Sequence, residues 1–265
     1  MFNTLLVQPL FNILAIIYAY LPGHDFGIAI IVFTILVRLA LWPLVNKQLH
    51  SQRALQELQP EIARIRTEAK GDKTLEGKLT MELYKEREIN PFASFLPLLI
   101  QLPIFLALFV VLKDLVKPGE IEKLAYPFVA SLPAIQAVVK EGGAFHPTFL
   151  GIIDLAKPSL FLAALAGGLQ FIQTKQLLPK HNASDSAAQV TKAMTYVFPF
   201  VTFFVGLSLP AALALYWGAG SAMAILQQTL VLRQDVEEME AVVLPPTTTV
   251  SNNTPKKKRK KGGSR

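Results

Sequence analysis

The sequence predicts an all-α polytopic membrane protein with five transmembrane helices, a cytoplasmic helical hairpin and an N-terminal interfacial helix. Three observations predict it. Hydrophobic residues make up 52% of the 265-residue chain and charged residues only 17%, with a mean hydropathy of +0.39. Several apolar runs approach the roughly 20 residues that a helix needs to cross a bilayer. The long polar stretch between the first two of them carries its apolar residues at helical spacing. There is no cysteine, which excludes disulfides, thiolate metal sites and cysteine nucleophiles. The histidines (His24, His50, His146, His181) are scattered and none lies within a hydrophobic run. No cofactor or metal is expected. The net charge of +7 is concentrated in a tail that contains six consecutive basic residues, Lys256, Lys257, Lys258, Arg259, Lys260 and Lys261.

Residues 1–22 are apolar but interrupted by Asn3, Gln8, Pro9 and Asn12. With no basic n-region and no small-residue cleavage motif they do not read as a cleaved signal peptide. The uninterrupted part, Ile13–Leu21, is too short to cross, so this segment is expected to lie flat on the outer membrane surface. The first span follows at 26–45, where twenty residues contain no Asp, Glu or Lys, yet Arg38 sits inside it. At 1.5 Å per residue Arg38 lies roughly 18 Å from Phe26 and about 10 Å from Val45. A guanidinium at that depth costs about 3 kcal/mol on insertion scales unless water or a partner meets it. Thr34 and Trp42 lie on the same helical face. Snorkelling towards the interface is the bland reading; a polar, wet intramembrane cavity with Arg38 as its only fixed charge is the sharper one.

Residues 46–90 carry nine Lys/Arg against eight Asp/Glu. Leu55, Leu58, Ile62 and Ile65, then Leu75, Leu79 and Leu83, recur at helical spacing on either side of Lys70-Gly71-Asp72. That pattern predicts two amphipathic arms joined by a turn. A second span at 91–112 holds Pro97, Gln101 and Pro103, and prolines inside a membrane helix imply a kinked, packed one. The loop 113–157 is mixed, with a weakly hydrophobic stretch, Leu124–Val139, expected to form a short interfacial or loop element. A third span at 158–178 places Gln170, Gln173 and Thr174 on one face beside Gly167 and Gly168. Spans at 193–208 and 210–232 are joined so tightly, at Ser208-Leu209-Pro210, that they form a hairpin. In the last of them Trp217, Ser221, Ala224 and Gln228 share a stripe. Residues 233–265 turn acidic, then Pro/Thr-rich, then basic, the composition of a disordered tail. The hairpin holds nine Lys/Arg and the tail eight, against five in the 113–157 loop. The positive-inside rule then puts the N-terminus outside and the C-terminus in the cytoplasm.

Gly220-Ser221 superficially suggests an intramembrane serine protease, but no span holds a histidine to act as base. A lone intramembrane arginine also suits a small-solute or ion transporter; inverted repeats are not visible and the polar hairpin has no transport role.

Specific runs carry a family resemblance. VRLALWPLVNKQLHSQRALQELQPEI, within Thr34–Ile65, resembles the YidC/Oxa/Alb membrane insertases, whose first core span carries an arginine and runs into a cytoplasmic hairpin. LYKEREINPFASFLPLLIQLPIF (Leu83–Phe105) resembles the family's second-span signature, and LPAALALYWGAGSAMAILQQ (Leu209–Gln228) its fifth. The fifth departs at Ala212, where the family usually has glycine, and at Ser221, where it has asparagine. The resemblance covers roughly residues 10–232 and implies a short form, without the large extracytoplasmic domain of the Gram-negative members. It implies a plasma-membrane insertase and chaperone rather than an enzyme. Nascent membrane proteins would pass from the cytoplasm into the bilayer through a hydrophilic groove closed on the outside. Arg38 would attract acidic residues of the segment being translocated, with Thr34, Gln101, Gln170, Gln173, Trp217 and Ser221 lining the same groove. Expected partners are the nascent chain, the lipid bilayer, the ribosome through the basic tail, the Sec translocon and signal recognition particle components.

Overall fold

The computed structural model describes residues 1–90, 96–114, 117, 119–142, 145–176 and 186–243. The opening of the expected second span, the loop after the third and the basic run 256–261 lie outside the described residues. The chain divides into two units, Met1–Val231 and Leu232–Arg265. The second contributes the closing turns of the last helix to the description.

A π-helical segment, Asn3–Val7, runs directly into helix α1, Gln8–Tyr20. The interruption expected at Pro9 is absent. Proline falls in the first turn of α1, where its missing N–H was not needed by the helix. Asn3–Tyr20 is thus, among the described residues, the one unbroken helix long and apolar enough to cross a membrane. Its inner face buries Val7, Phe11, Leu14, Ala15 and Tyr18 at helical spacing.

Helix α2, Phe26–Ala40, starts at Asp25, whose Oδ1 accepts the Ile28 N–H at 2.9 Å. The expected single span to Val45 is corrected here: the chain bends by 64° at Leu41 and continues as α3, Trp42–Glu57. Pro43 explains the bend, because it has no N–H for the Leu39 carbonyl and its ring clashes with that carbonyl in a continuous helix. Another proline, Pro60, follows a break at Leu58, after which α4 spans Gln59–Glu68. Lys70 (φ 48°) and Gly71 (φ 93°) then turn the chain. Helix α5, Lys73–Glu86, opens with the Asp72 carboxylate accepting the Thr74 and Leu75 N–H groups. Leu58, Ile62 and Leu83 form a small core between α4 and α5. Arg66–Glu76 at 2.8 Å and Arg87–Glu61 at 2.9 Å clasp its two ends.

Helix α6 covers Leu96–Asp114. The following loop is more ordered than its composition suggested. Three short helices, α7 (Glu120–Leu124), α8 (Pro127–Ala130) and α9 (Pro133–Lys140), precede a two-stranded antiparallel ribbon. Its strands are β1, Thr148–Phe149, and β2, Ile153–Asp154. Prolines 127 and 133 each open one of the short helices, which is why a single hydrophobic stretch is cut into pieces. Helices α10 (Leu160–Gln176) and α11 (Ser186–Ser208) pack against each other, with Gly167 set against the Pro199 carbonyl and Phe203. After a break at Leu209-Pro210, α12 runs over Ala211–Val243.

The main core gathers at one end of these helices. It takes Phe11 from α1, Phe26 and Phe33 from the first part of α2, and Leu108 from α6. Ile121 and Leu155 join from the loop and Leu213 from the start of α12. Asn12 is buried there, donating from Nδ2 to the Gln8 and Leu124 carbonyls and accepting the Tyr126 N–H at 2.7 Å. It clamps α1 to the 120–126 segment.

Candidate functional site

Past that core the same helices turn polar. Arg38 is half-buried near the end of α2. Across from it α12 presents Gly220, and a methyl group there would stand 3.2 Å from Arg38 Nη2. A glycine is what lets the guanidinium lie against the α12 backbone. One turn earlier Tyr216 lies within electrostatic reach of Arg38. The Tyr216 hydroxyl accepts a hydrogen bond from Gln101 Nε2 at 2.8 Å, bringing α6 into the cluster. On the other flank Ser221 Oγ donates to Gln170 Oε1 on α10 at 3.1 Å. Gln227 Nε2 donates to the Arg38 carbonyl at 3.5 Å, and Gln176 Nε2 to Thr229 Oγ1 at 3.2 Å. Four helices thus meet around one arginine. Among the described residues no carboxylate pairs with it.

Of the sequence-predicted residues, Arg38, Gln101, Gln170 and Ser221 come together here. Trp217 is next to them, its indole stacked on Phe105 with ring centroids 4.9 Å apart. Gln173 is half-buried on the same helix as Gln170. Thr34 is placed differently: it is 1% exposed and its hydroxyl donates to the Ile30 carbonyl of its own helix at 2.7 Å. Thr174 likewise donates to the Gln170 carbonyl. Tyr216, Gly220 and Gln227 were not anticipated. A signal existed for Gly220, a glycine inside an apolar helix where close approach is the usual reason.

Five buried carboxamide oxygens accept no hydrogen bond from the described residues: those of Asn46 and Gln52 on α3, and those of Gln176, Gln227 and Gln228 in this polar half. Buried polar atoms are ordinarily satisfied, so such a cluster calls for water or a polar guest. Among the described residues no group of three His, Cys, Asp or Glu is placed to hold a metal ion.

Apolar helices gathered around a half-buried arginine and unspent amides are the arrangement of an all-α membrane protein with a polar cluster between its helices. The model of the 60Kd inner membrane protein family matches residues 16–238. The membrane protein insertase YidC of Fusobacterium nucleatum subsp. nucleatum is 34% identical over 212 residues, 79% of this chain and 87% of the relative. That of Clostridium tetani is 32% identical over 209 residues, 79% of this chain and 82% of the relative. That of Oleidesulfovibrio alaskensis is 32% identical over 233 residues, which are 87% of this chain and 39% of the relative. The chain belongs to the 60Kd inner membrane protein family, the YidC/Oxa family of multi-pass cell membrane proteins.

Proposed function

We propose that the chain is a membrane protein insertase that takes nascent membrane proteins from the cytoplasm into the bilayer through a hydrophilic groove around Arg38. Five spans, N-terminus outside and C-terminus inside, frame the groove, with residues 1–22 flat on the outer surface and the α4–α5 hairpin in the cytoplasm. The observation that carries this reading is Arg38 itself: half-buried, ringed by Gly220, Tyr216 and polar side chains, with no carboxylate partner among the described residues. A permanent partner would neutralise the charge, whereas an unpaired guanidinium attracts acidic residues of a passing chain. Each carboxylate moving outward gains about 2.3 kcal/mol per 100 mV of inside-negative potential. The apolar helix of the client then leaves sideways into lipid along α10 and α12, and no covalent step is needed.

The test uses two substrates matched except for acidic or neutral translocated segments. Arg38→Ala should slow insertion of the acidic one by about tenfold, the loss of ~1.4 kcal/mol of attraction, and the neutral one less. Arg38→Lys should keep much of the activity. Folded protein should not decrease, because removing an unpaired intramembrane charge is neutral or favourable. Equal insertion of both substrates by well-folded Arg38→Ala ends the proposal.

Ribosome contact belongs to the basic run Lys256–Lys261, through salt-sensitive attraction to ribosomal RNA. Removing residues 256–265 should weaken ribosome co-sedimentation at low salt and leave the membrane core folded. Unchanged co-sedimentation would assign the tail to anionic lipid instead. The Sec translocon and signal recognition particle components are the further partners this role proposes.

A further inference from the structure

We infer that the tip of the β1–β2 ribbon, Leu150-Gly151-Ile152, is a membrane anchor seated among the outer-leaflet acyl chains beside the first core helix. The leaflet rests on the orientation proposed above; the insertion in lipid rests on the tip's own geometry.

Leu150 is 60% exposed and Ile152 85%, the latter the most exposed large aliphatic of any described loop. Leu150 (φ 52°) and Gly151 (φ 67°) are both left-handed. Turns of that kind strongly favour Asn, Asp or Gly, so a leucine in the first position is a poor choice for a turn in water. Its apolar exposure is explained if the tip faces hydrocarbon, where a polar turn residue would be costly to bury. No charged residue occurs between His146 and Asp154.

The tip does not hang free. Asp25 bridges the ribbon and α2: while Oδ1 caps the helix, Oδ2 accepts the Leu150 N–H at 2.6 Å. Phe149 lies on Gly27, where any Cβ would come within 2.3 Å of its ring. Behind the ribbon, Ala211 N donates to the Lys157 carbonyl at 2.9 Å and Ala212 N to the Leu155 carbonyl at 3.0 Å, tying it to the first turn of α12. The tip is therefore fixed level with the first turn of α2, where that helix's apolar stretch begins, at the hydrocarbon boundary. The neighbouring segment 2–20 exposes Phe2, Leu5, Ile13 and Tyr20, with Asn3 and Thr4 as its exposed polar residues, and carries no charged side chain.

The absence of cysteine makes the test direct. Ile152→Cys carries an environment-sensitive fluorophore in proteoliposomes, and Lys140→Cys, exposed on α9, serves as the aqueous reference. The expected result is emission at shorter wavelength from position 152. It should be strongly quenched by lipid bearing a shallow acyl-chain nitroxide and weakly by iodide, with the reverse at position 140. Iodide quenching of both labels alike overturns the anchor. Protection from both quenchers also overturns it, since the tip would then be covered by protein such as a second copy. The orientation is read separately, from the side on which an impermeant thiol reagent reaches position 140. Labelling from the cytoplasmic side alone would reverse the orientation and leave the anchor standing in the other leaflet.

Discussion

Asn12 and Gln227 are almost equally buried, at 2% and 1% exposure, yet their hydrogen bonding is opposite. Asn12 spends both donors and its oxygen inside the protein. Gln227 leaves its oxygen unmet, as do Gln176 and Gln228 nearby. The two amides mark two halves of the helix bundle. Around Asn12, α1, the starts of α2 and α12 and the loop helices close into one apolar core. Around Gln227, roughly 18–24 Å further along α2 and α12, the helices hold an arginine and amides that their neighbours do not satisfy. The first half is arranged as a seal. The second is left with bonding capacity that the described residues do not use.

Mutations at the seal should therefore be read in stability, and mutations at the polar half in insertion. Asn12→Leu gives the largest expected effect. It removes the amide and leaves the Tyr126 N–H and Leu124 carbonyl buried and unpaired, costing about 3 kcal/mol, measured by thermal unfolding in detergent. A loss under about 1 kcal/mol would mean that this end is not the sealed one. Gly220→Ala comes next. The atom its methyl meets first is the end of the flexible Arg38 side chain, so stability should change by about 1 kcal/mol or less. Displacing the guanidinium should slow insertion of acidic clients by up to about tenfold. Unfolding of this variant with insertion unaffected would erase the distinction between the halves.

The smallest effect lies outside both, in the α4–α5 hairpin. Hydrogen bonding to the Arg66 guanidinium, aided by Lys73, holds the Glu76 carboxyl below its usual range. A depressed carboxyl stabilises the fold above its unfolded pKa of about 4.3 and loses that contribution as pH falls through the lower folded value. Amide exchange in the hairpin should stay constant, once corrected for intrinsic rates, from neutral pH to about 5 and accelerate below about 4. Glu76→Gln should weaken this acid dependence.

Much of this was legible in the sequence, for reasons that also explain what was not. Arg38 stands out because a charge in twenty apolar residues has no cheap explanation. The α4 and α5 periodicity and the Lys70-Gly71-Asp72 turn are local signals, and local signals survive into structure. The bend at Leu41 was signalled by Pro43 but outweighed by a count of apolar residues, which measures length and not continuity. Asn12 was read as an interruption, although an amide in an apolar helix is tolerated when the fold supplies partners 112 and 114 residues away. No local pattern reports such partners. Tyr216 was hidden for the same reason: its role comes from Gln101 and Arg38 on other helices.

The bond from Leu150 to Asp25 spans 125 residues, and that separation sets an order of assembly. The hairpin closes between residues 10 apart, Arg66 and Glu76, as soon as they are made. The seal over α2 has to wait for residue 150. At roughly 5–20 residues per second of synthesis, α2 exists for about 6–25 s with Asp25 capping its helix and nothing over Gly27. During its own biogenesis this protein thus carries its first core helix uncovered at Gly27 until the ribbon that packs on it has been made.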